Sequence, residues 1–191
     1  MVQISLPQNS KIEKGKYYKD KTGSKNLRKV NIYRWDPSTG ENPRIDTYEV
    51  DMDNCPSKVL DLLNKIKNEI DSSIAYRRSC AHGVCGSCAM NMDGKNGLAC
   101  TKPHSEIKGD INIYPLPHLR VQKDLIGDLS TLYKQYASVE PWLKNSNNKS
   151  EKENFQSKED RAKLDGLYEC IMCACCSTSV SYTHLRAHET A

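Results

Sequence analysis

The chain has 191 residues, of which 37% are hydrophobic and one is Phe. That is too little apolar mass for one large core, so two small domains or external bracing are expected. The net charge of +4, with 24 acidic residues interspersed, is too mild to argue for nucleic acid as a partner. No stretch approaches the ~20 apolar residues of a membrane span.

Met1 to Leu27 is polar and Lys-rich and reads as an extended or frayed arm. A mitochondrial presequence is the competing reading. Such a leader is Arg-rich and acid-poor, whereas this arm has no Arg and carries Glu13 and Asp20. Val30 and Ile32 alternate with Asn31 and Tyr33, and Tyr48, Val50 and Met52 alternate again. With turn residues Asp36 to Gly40 between them, the two runs predict a β-hairpin. Ser57 offers a helix cap, and Val59, Leu62, Leu63, Ile66 and Ile70 follow helical spacing as one apolar stripe. Arg77 to Cys88, rich in Cys, Gly and Ser, reads as a loop. Ala89–Met92 and Leu98–Thr101 flank the turn Asp93-Gly94-Lys95-Asn96. Ile111 and Ile113 predict one more strand, closed by Pro115 and Pro117. Beyond it Leu125, Leu129, Leu132, Tyr133 and Tyr136 keep helical spacing up to Pro141. Lys144 to Gln156 is polar and reads as an exposed loop. Ser157 with Asp160 resembles a capping box, and Leu164, Leu167 and Ile171 extend a helical stripe. The reading is an α+β fold, β-rich with one helix up to about residue 127 and helical after it.

Cysteine carries the chemistry. Nine cysteines in this length fall short of the ~8–10% of a disulfide scaffold. The N-terminus shows no apolar signal-peptide core, so the thiols are expected to be reduced. Clustered thiols in a reducing compartment point to metal or redox chemistry. Cys80, Cys85 and Cys88 are spaced x4 then x2, and Cys100 follows from a separate segment. This is the plant-type C-x4-C-x2-C…C spacing of a 2Fe–2S cluster. Three thiolates on one tight loop converge on a small inorganic core, and the fourth closes it. Gly83 and Gly86 let the backbone wrap close and leave N–H groups free for sulfur, with Ser87 a further donor. Structural zinc is the competing reading, but zinc sites use two separated C-x2–4-C pairs. His82 reads as a solvent-facing loop residue. Arg77 and Arg78 either favour a reduced anionic cluster or form a solvated basic edge.

Cys170, Cys173 and Cys176 form C-x2-C-x2-C. The bacterial run C-x2-C-x2-C-x3-C-P for a 4Fe–4S cluster continues with Cys-Pro, where this chain has Val180 and Ser181. Three ligands of a 4Fe–4S site are therefore present and the fourth is missing. Three-thiolate zinc is again the competing reading. Cys175, out of phase, and the isolated Cys55 read as packing residues. His184 and His188, at i and i+4, read as an incidental pair.

The run Tyr76 to Asn91 resembles the signature of the iron–sulfur subunit of succinate dehydrogenase. So do Leu98 to Thr101, Ile113 to His118, Ser138 to Leu143 and Leu164 to Ser179. The likeness spans about Arg28 to Ser179. It implies a β-grasp, ferredoxin-like 2Fe–2S domain over 28–127 and, over 128–179, the start of a helical domain for 4Fe–4S and 3Fe–4S clusters. By position, Cys80, Cys85, Cys88 and Cys100 match the 2Fe–2S ligands, and Cys170, Cys173 and Cys176 match three 4Fe–4S ligands. It further implies partners: a flavoprotein that oxidises succinate to fumarate, membrane-anchor subunits and ubiquinone. The complex would lie on the cytoplasmic face of a bacterial inner membrane, or on the matrix side of the mitochondrial one. Fumarate reductase, running the same path in reverse, and a soluble ferredoxin are the alternatives. The family has Cys-Pro where Val180-Ser181 stand, and the 3Fe–4S ligands would lie beyond. The expectation is a truncated reading frame with a non-native tail over 180–191, inactive as a fragment.

Overall fold

The computed structural model describes residues 11–142, 144 and 155–179. Its centre is a six-stranded mixed sheet in the order β1-β3-β2-β6-β4-β5. The strands are β1 (Glu13–Tyr18), β2 (Leu27–Arg34), β3 (Arg44–Asp51), β4 (Ala89–Met92), β5 (Lys95–Leu98) and β6 (Ile111–Tyr114). The predicted hairpin is β2–β3, antiparallel from Leu27 opposite Asp51 to Arg34 opposite Arg44. The predicted four-residue turn between β4 and β5 is only Asp93-Gly94, so the second strand is Lys95–Leu98 in place of the expected Leu98–Thr101. In β2, Val30, Ile32 and Arg34 are buried while their neighbours are not, the period-two pattern of a strand with one face inward.

Two pairings are parallel and join distant segments: β1 with β3, and β2 with β6 through Val30–Ile111 and Ile32–Ile113. Part of the polar arm is thus an added edge strand. Gly15 permits this, because a Cβ there would lie 2.1 Å from Asp46 Oδ1 and 2.6 Å from the Ile45 carbonyl oxygen.

Helix α1 (Val59–Lys65) runs into a π-helical turn over Ile66–Ile70. Its cap is Lys58 and not Ser57. Asp61 accepts the Lys58 backbone N–H at 3.3 Å, so the carboxylate holds the first turn in place of a hydroxyl. The stripe Val59, Leu62, Leu63 and Ile66 is fully buried with Val30, Ile32, Tyr48 and Val50 in one core. Cys55 packs against that core, and burial pushes its thiol pKa up.

The segment after β6 differs from the helical pattern expected of it. Val121–Lys123 (β7) and Ile126–Gly127 (β8) form a small hairpin, and Leu125 in its turn is buried in the core. Helix α2 begins only at Ser130 and ends at Val139. Asp128 sets that start by accepting both the N–H and the O–H of Ser130. Helix α3 is also short, Lys158–Ala162, with the expected Ser157–Asp160 cap at 3.0 Å. Turns follow, and Leu164 and Leu167 are exposed. Among the described residues, no helix is long and apolar enough to cross a membrane.

A buried charge network joins the hairpin to the later segments. Arg34, 4% exposed, stands 2.6 Å from Asp71, 3.4 Å from Asp46 and 3.1 Å from Asp124. It also donates to Tyr48 and Ser73, each at 2.8 Å.

Candidate metal centre

The loop that carries the first three cysteines is anchored at its start. Ala75 donates to Asp124 Oδ2 at 2.9 Å, and Tyr76 and Arg78 both donate to Asn64 Oδ1 at 2.8 and 3.0 Å. Arg77 donates to the Gly127 carbonyl and to Gln122. Both arginines are therefore tied to the scaffold beside the loop. Beyond them Ala81, Gly83 and Gly86 take left-handed φ of 61°, 85° and 69°, which curls the backbone inward.

That curl aims N–H groups at sulfur. Gly83 N donates to Cys100 Sγ at 3.2 Å, Cys85 N to Cys80 Sγ at 3.3 Å and Val84 N to Cys80 Sγ at 3.4 Å. Ser87 Oγ lies 3.1 Å from Cys85 Sγ. Cys100 is fixed from the other side by α1, whose Leu60 and Val59 N–H groups bond the Ala99 and Lys102 carbonyls, each at 2.9 Å.

The four thiols stand as two interacting pairs, Cys80 with Cys85 and Cys88 with Cys100. Among the described residues, no three His, Cys, Asp or Glu side chains close on a single metal position. The pairs have different surroundings. The N–H groups of His82, Cys85 and Val84 pull the Cys80 thiol down to about 6. The Ser87 hydroxyl, with backbone hydrogen bonds, lowers Cys85 in the same direction against the opposing Cys80 thiol. Burial pushes Cys88 up to about 11. One pair stands toward the surface with both thiols lowered, and the other is held inside. His82 is exposed, as expected, with its Nδ1 2.5 Å from the Cys80 carbonyl oxygen.

The second cysteine loop packs directly on the first. A Cβ on Gly86 would lie 2.7 Å from Cys173 Cβ and 3.1 Å from the Ile171 carbonyl oxygen, so only glycine permits this approach. Met172 and Ala174 alternate into left-handed φ of 55° and 65°. Cys173 and Cys175 are half-buried and Cys170 and Cys176 exposed. The loop does not bring Cys170, Cys173 and Cys176 onto one point. Cys175 is a packing thiol, pushed up to about 12 by burial, with Cys173, Cys176 and Cys88 nearby. A cleft of about 420 Å³ remains between the loops and α2, lined by Arg77, Cys85, Gly86, Tyr133, Met172 and Cys173. Val180, Ser181, His184 and His188 lie outside the described residues.

Sequence reasoning missed Asp124 and Asn64, which hold the loop's entry. Neither lies in a cysteine motif, and no local spacing pairs Asn64 with Tyr76 and Arg78 or Asp124 with the more distant Ala75.

A β-grasp sheet whose Gly-rich loop turns backbone N–H groups onto paired thiols defines a ferredoxin-like iron–sulfur domain. Accordingly, the family described as 2Fe-2S iron-sulfur cluster binding domain matches residues 29–134. The chain is 61% identical over 179 residues to the succinate dehydrogenase iron-sulfur subunit of Paracoccus denitrificans, covering 94% of this chain and 69% of that protein. It superposes on a chain of the Mycobacterium smegmatis Sdh1 complex in the apo form with TM-score 0.70 at 25% identity, over 87% of this chain and 68% of that one. The chain belongs to the family of succinate dehydrogenase iron–sulfur subunits, electron-transfer components of a multi-subunit oxidoreductase.

Proposed function

We propose that Cys80, Cys85, Cys88 and Cys100 hold the 2Fe–2S cluster, with Cys80 and Cys85 on one iron and Cys88 and Cys100 on the other. The observation that carries this is the pairing of the thiols, with N–H groups aimed at the sulfurs of Cys80 and Cys100. Two thiolates per iron complete the coordination of a two-iron core, whereas zinc draws four ligands to one point. When bound, the cluster takes up and releases one electron at a time. The residues around it set how readily it does so. A plant-type centre lies near about −400 mV, too reducing for succinate to fill. N–H and O–H groups bonded to sulfur stabilise the extra negative charge and raise that potential. Arg77 and Arg78 add positive charge at the loop's edge.

Cys170, Cys173 and Cys176 supply three thiolates to a 4Fe–4S cluster, and a 3Fe–4S cluster follows in the whole family. Domain limits of 28–127 and 128–179 separate the two cluster-bearing parts. The path runs from a flavoprotein that oxidises succinate, through these centres, to ubiquinone at membrane-anchor subunits. The complex sits peripherally on the cytoplasmic face of a bacterial inner membrane.

The test is anaerobic reconstitution of the full chain with iron and sulfide. The expected product is red-brown and, once reduced, gives a rhombic electron paramagnetic resonance signal. About two irons per chain belong to that signal, and Cys100→Ala loses most of them. Colourless protein holding one tight zinc would overturn the assignment.

A further inference from the structure

Asn96, on β5, reaches across to the second cysteine loop. Its Nδ2 lies 3.3 Å from the Cys175 carbonyl oxygen, 3.1 Å from Thr178 Oγ1 and 3.0 Å from Ser179 Oγ. Both hydroxyl protons are already committed. Thr178 Oγ1 donates to the Ala174 carbonyl and Ser179 Oγ to the Cys175 carbonyl, each at 2.7 Å. All three oxygens therefore turn lone pairs toward position 96, and only a donor fits there. Asn91 fixes the amide's orientation, because its Nδ2 donates to Asn96 Oδ1 at 2.7 Å. Thr178 and Ala174 are buried by this contact region, at 4% and 5% exposed. On the other side of the same loop, Gly86 meets Cys173 at the separation given above.

We propose that Asn96 is a positioning residue for electron transfer. Its amide clamps the Cys173–Ser179 loop onto the Cys85–Cys88 loop, holding the second cysteine set at contact distance from the first and covering the Gly86 and Cys88 end of that loop from water, while Cys85 stays exposed. The role rests on the cluster assignment above. Among the described residues, the Asn96 side chain bonds only to Asn91 and to the 175–179 segment. The bond to Asn91 also ties it to the hairpin that runs to Cys88 and Cys100, so exchange of β4 and β5, unchanged if the effect passes through the docked loop, separates the two routes. Shielding lowers the potential of an anionic cluster, since water no longer stabilises the added electron. Releasing the loop raises it.

The experiment uses the full chain loaded with iron and sulfide, comparing the parent with Asn96→Asp, Asn96→Ala and Thr178→Val. Lys95→Ala, an exposed neighbour on the same hairpin, is the control. Two quantities are read: amide hydrogen exchange of residues 173–179, and the midpoint potential of the 2Fe–2S signal. Asn96→Asp is expected to lower protection of 173–179 roughly tenfold, as the loss of part-buried hydrogen bonds with a carboxylate set against three acceptors implies. Exchange of β2 and β3 stays unchanged, and the potential moves upward. Asn96→Ala and Thr178→Val do the same to a smaller degree, and Lys95→Ala does neither. Unchanged protection in Asn96→Asp overturns the clamp. Lost protection with an unmoved potential overturns the positioning role. A parent chain with no 2Fe–2S signal overturns the cluster assignment instead, and the exchange comparison still decides the clamp.

Discussion

Asp124 accepts the backbone N–H of Ala75 at 2.9 Å through one carboxylate oxygen, shortly ahead of Cys80. Its other oxygen accepts the N–H of Trp35 at 2.9 Å. One buried side chain, 2% exposed, thus ties the end of β2 to the entry of the cysteine loop. Nε of Arg34 stands 3.1 Å away, at ion-pair distance but without hydrogen-bond alignment. Asp124 has φ of 46°, a conformation that Asn also tolerates. Asp124→Asn therefore changes the acceptor without straining the backbone. One N–H then faces an NH2 group, and about 1–3 kcal/mol of stability is lost. Urea denaturation measures it, and a loss of only a few tenths contradicts the bridging role.

Arg34→Met leaves the buried Asp124 and the half-buried Asp71 without their cation and Asp46 with Arg44 alone, at a cost of about 3–5 kcal/mol. Its pH dependence has a definite sign. In the parent, burial opposes ionisation of Asp71. Bonds from Ser73, Tyr48 and Arg34 outweigh it and hold the carboxyl below the usual range. Such a group stabilises the fold above its unfolded pKa of about 3.9, and the contribution fades as pH falls through the lower folded value. Without Arg34 the carboxylates repel, and protonation relieves them. The deficit of the variant is greatest at neutral pH and shrinks toward about pH 4. Denaturation curves at both pH values check this, and an equal deficit at each rejects the charge account.

Ser87→Ala removes the hydroxyl 3.1 Å from Cys85 Sγ. A lost bond to sulfur makes the reduced cluster harder to form. The midpoint potential falls by on the order of tens of millivolts, the equivalent of one modest hydrogen bond. Iron content stays the same. Redox titration followed by paramagnetic resonance gives the answer, and an unchanged or higher potential counts against the bond.

Gly83→Ala places a Cβ 2.9 Å from Thr101 Cγ2 at a φ of 85°. The loop must shift, and the N–H bond to Cys100 Sγ at 3.2 Å goes with it. Reconstituted iron is expected to drop by more than half. Thr101→Ser deletes the opposing methyl, so the double variant recovers part of the iron and keeps only the left-handed strain of about 1–2 kcal/mol. No recovery means that the backbone conformation alone decides retention.

Local pattern made the cysteine loop, the β2–β3 hairpin and the α1 stripe readable, because spacing and alternation lie within a few residues. The places where reading ran short depend on distant partners. Glu13 to Tyr18 has no period-two apolar pattern, and it becomes a strand because the edge of β3 is open to it. Leu125 matched a helical period yet sits in a turn, since Asp124 and Arg34 claim that segment for the core. Leu164 and Leu167 matched another, but no described element covers them. Asn96 read as a turn residue, and nothing near it in the chain pointed to its partners in the second cysteine loop.

The parallel pairing of β2 with β6 has a consequence for biogenesis. On the ribosome, Cys80, Cys85, Cys88 and Cys100 all emerge before Ile111 and Ile113, the residues that lock β6 beside β2. Such long-range closure is slow compared with local turns. A nascent chain therefore presents four thiols before the sheet that shelters Cys88 and Cys100 exists, and before the loop N–H groups that lower the Cys80 pKa are in place. Oxidation and stray metals compete for the site during that interval. Productive maturation therefore depends on how fast β6 closes beside β2 relative to oxidation of those sulfurs.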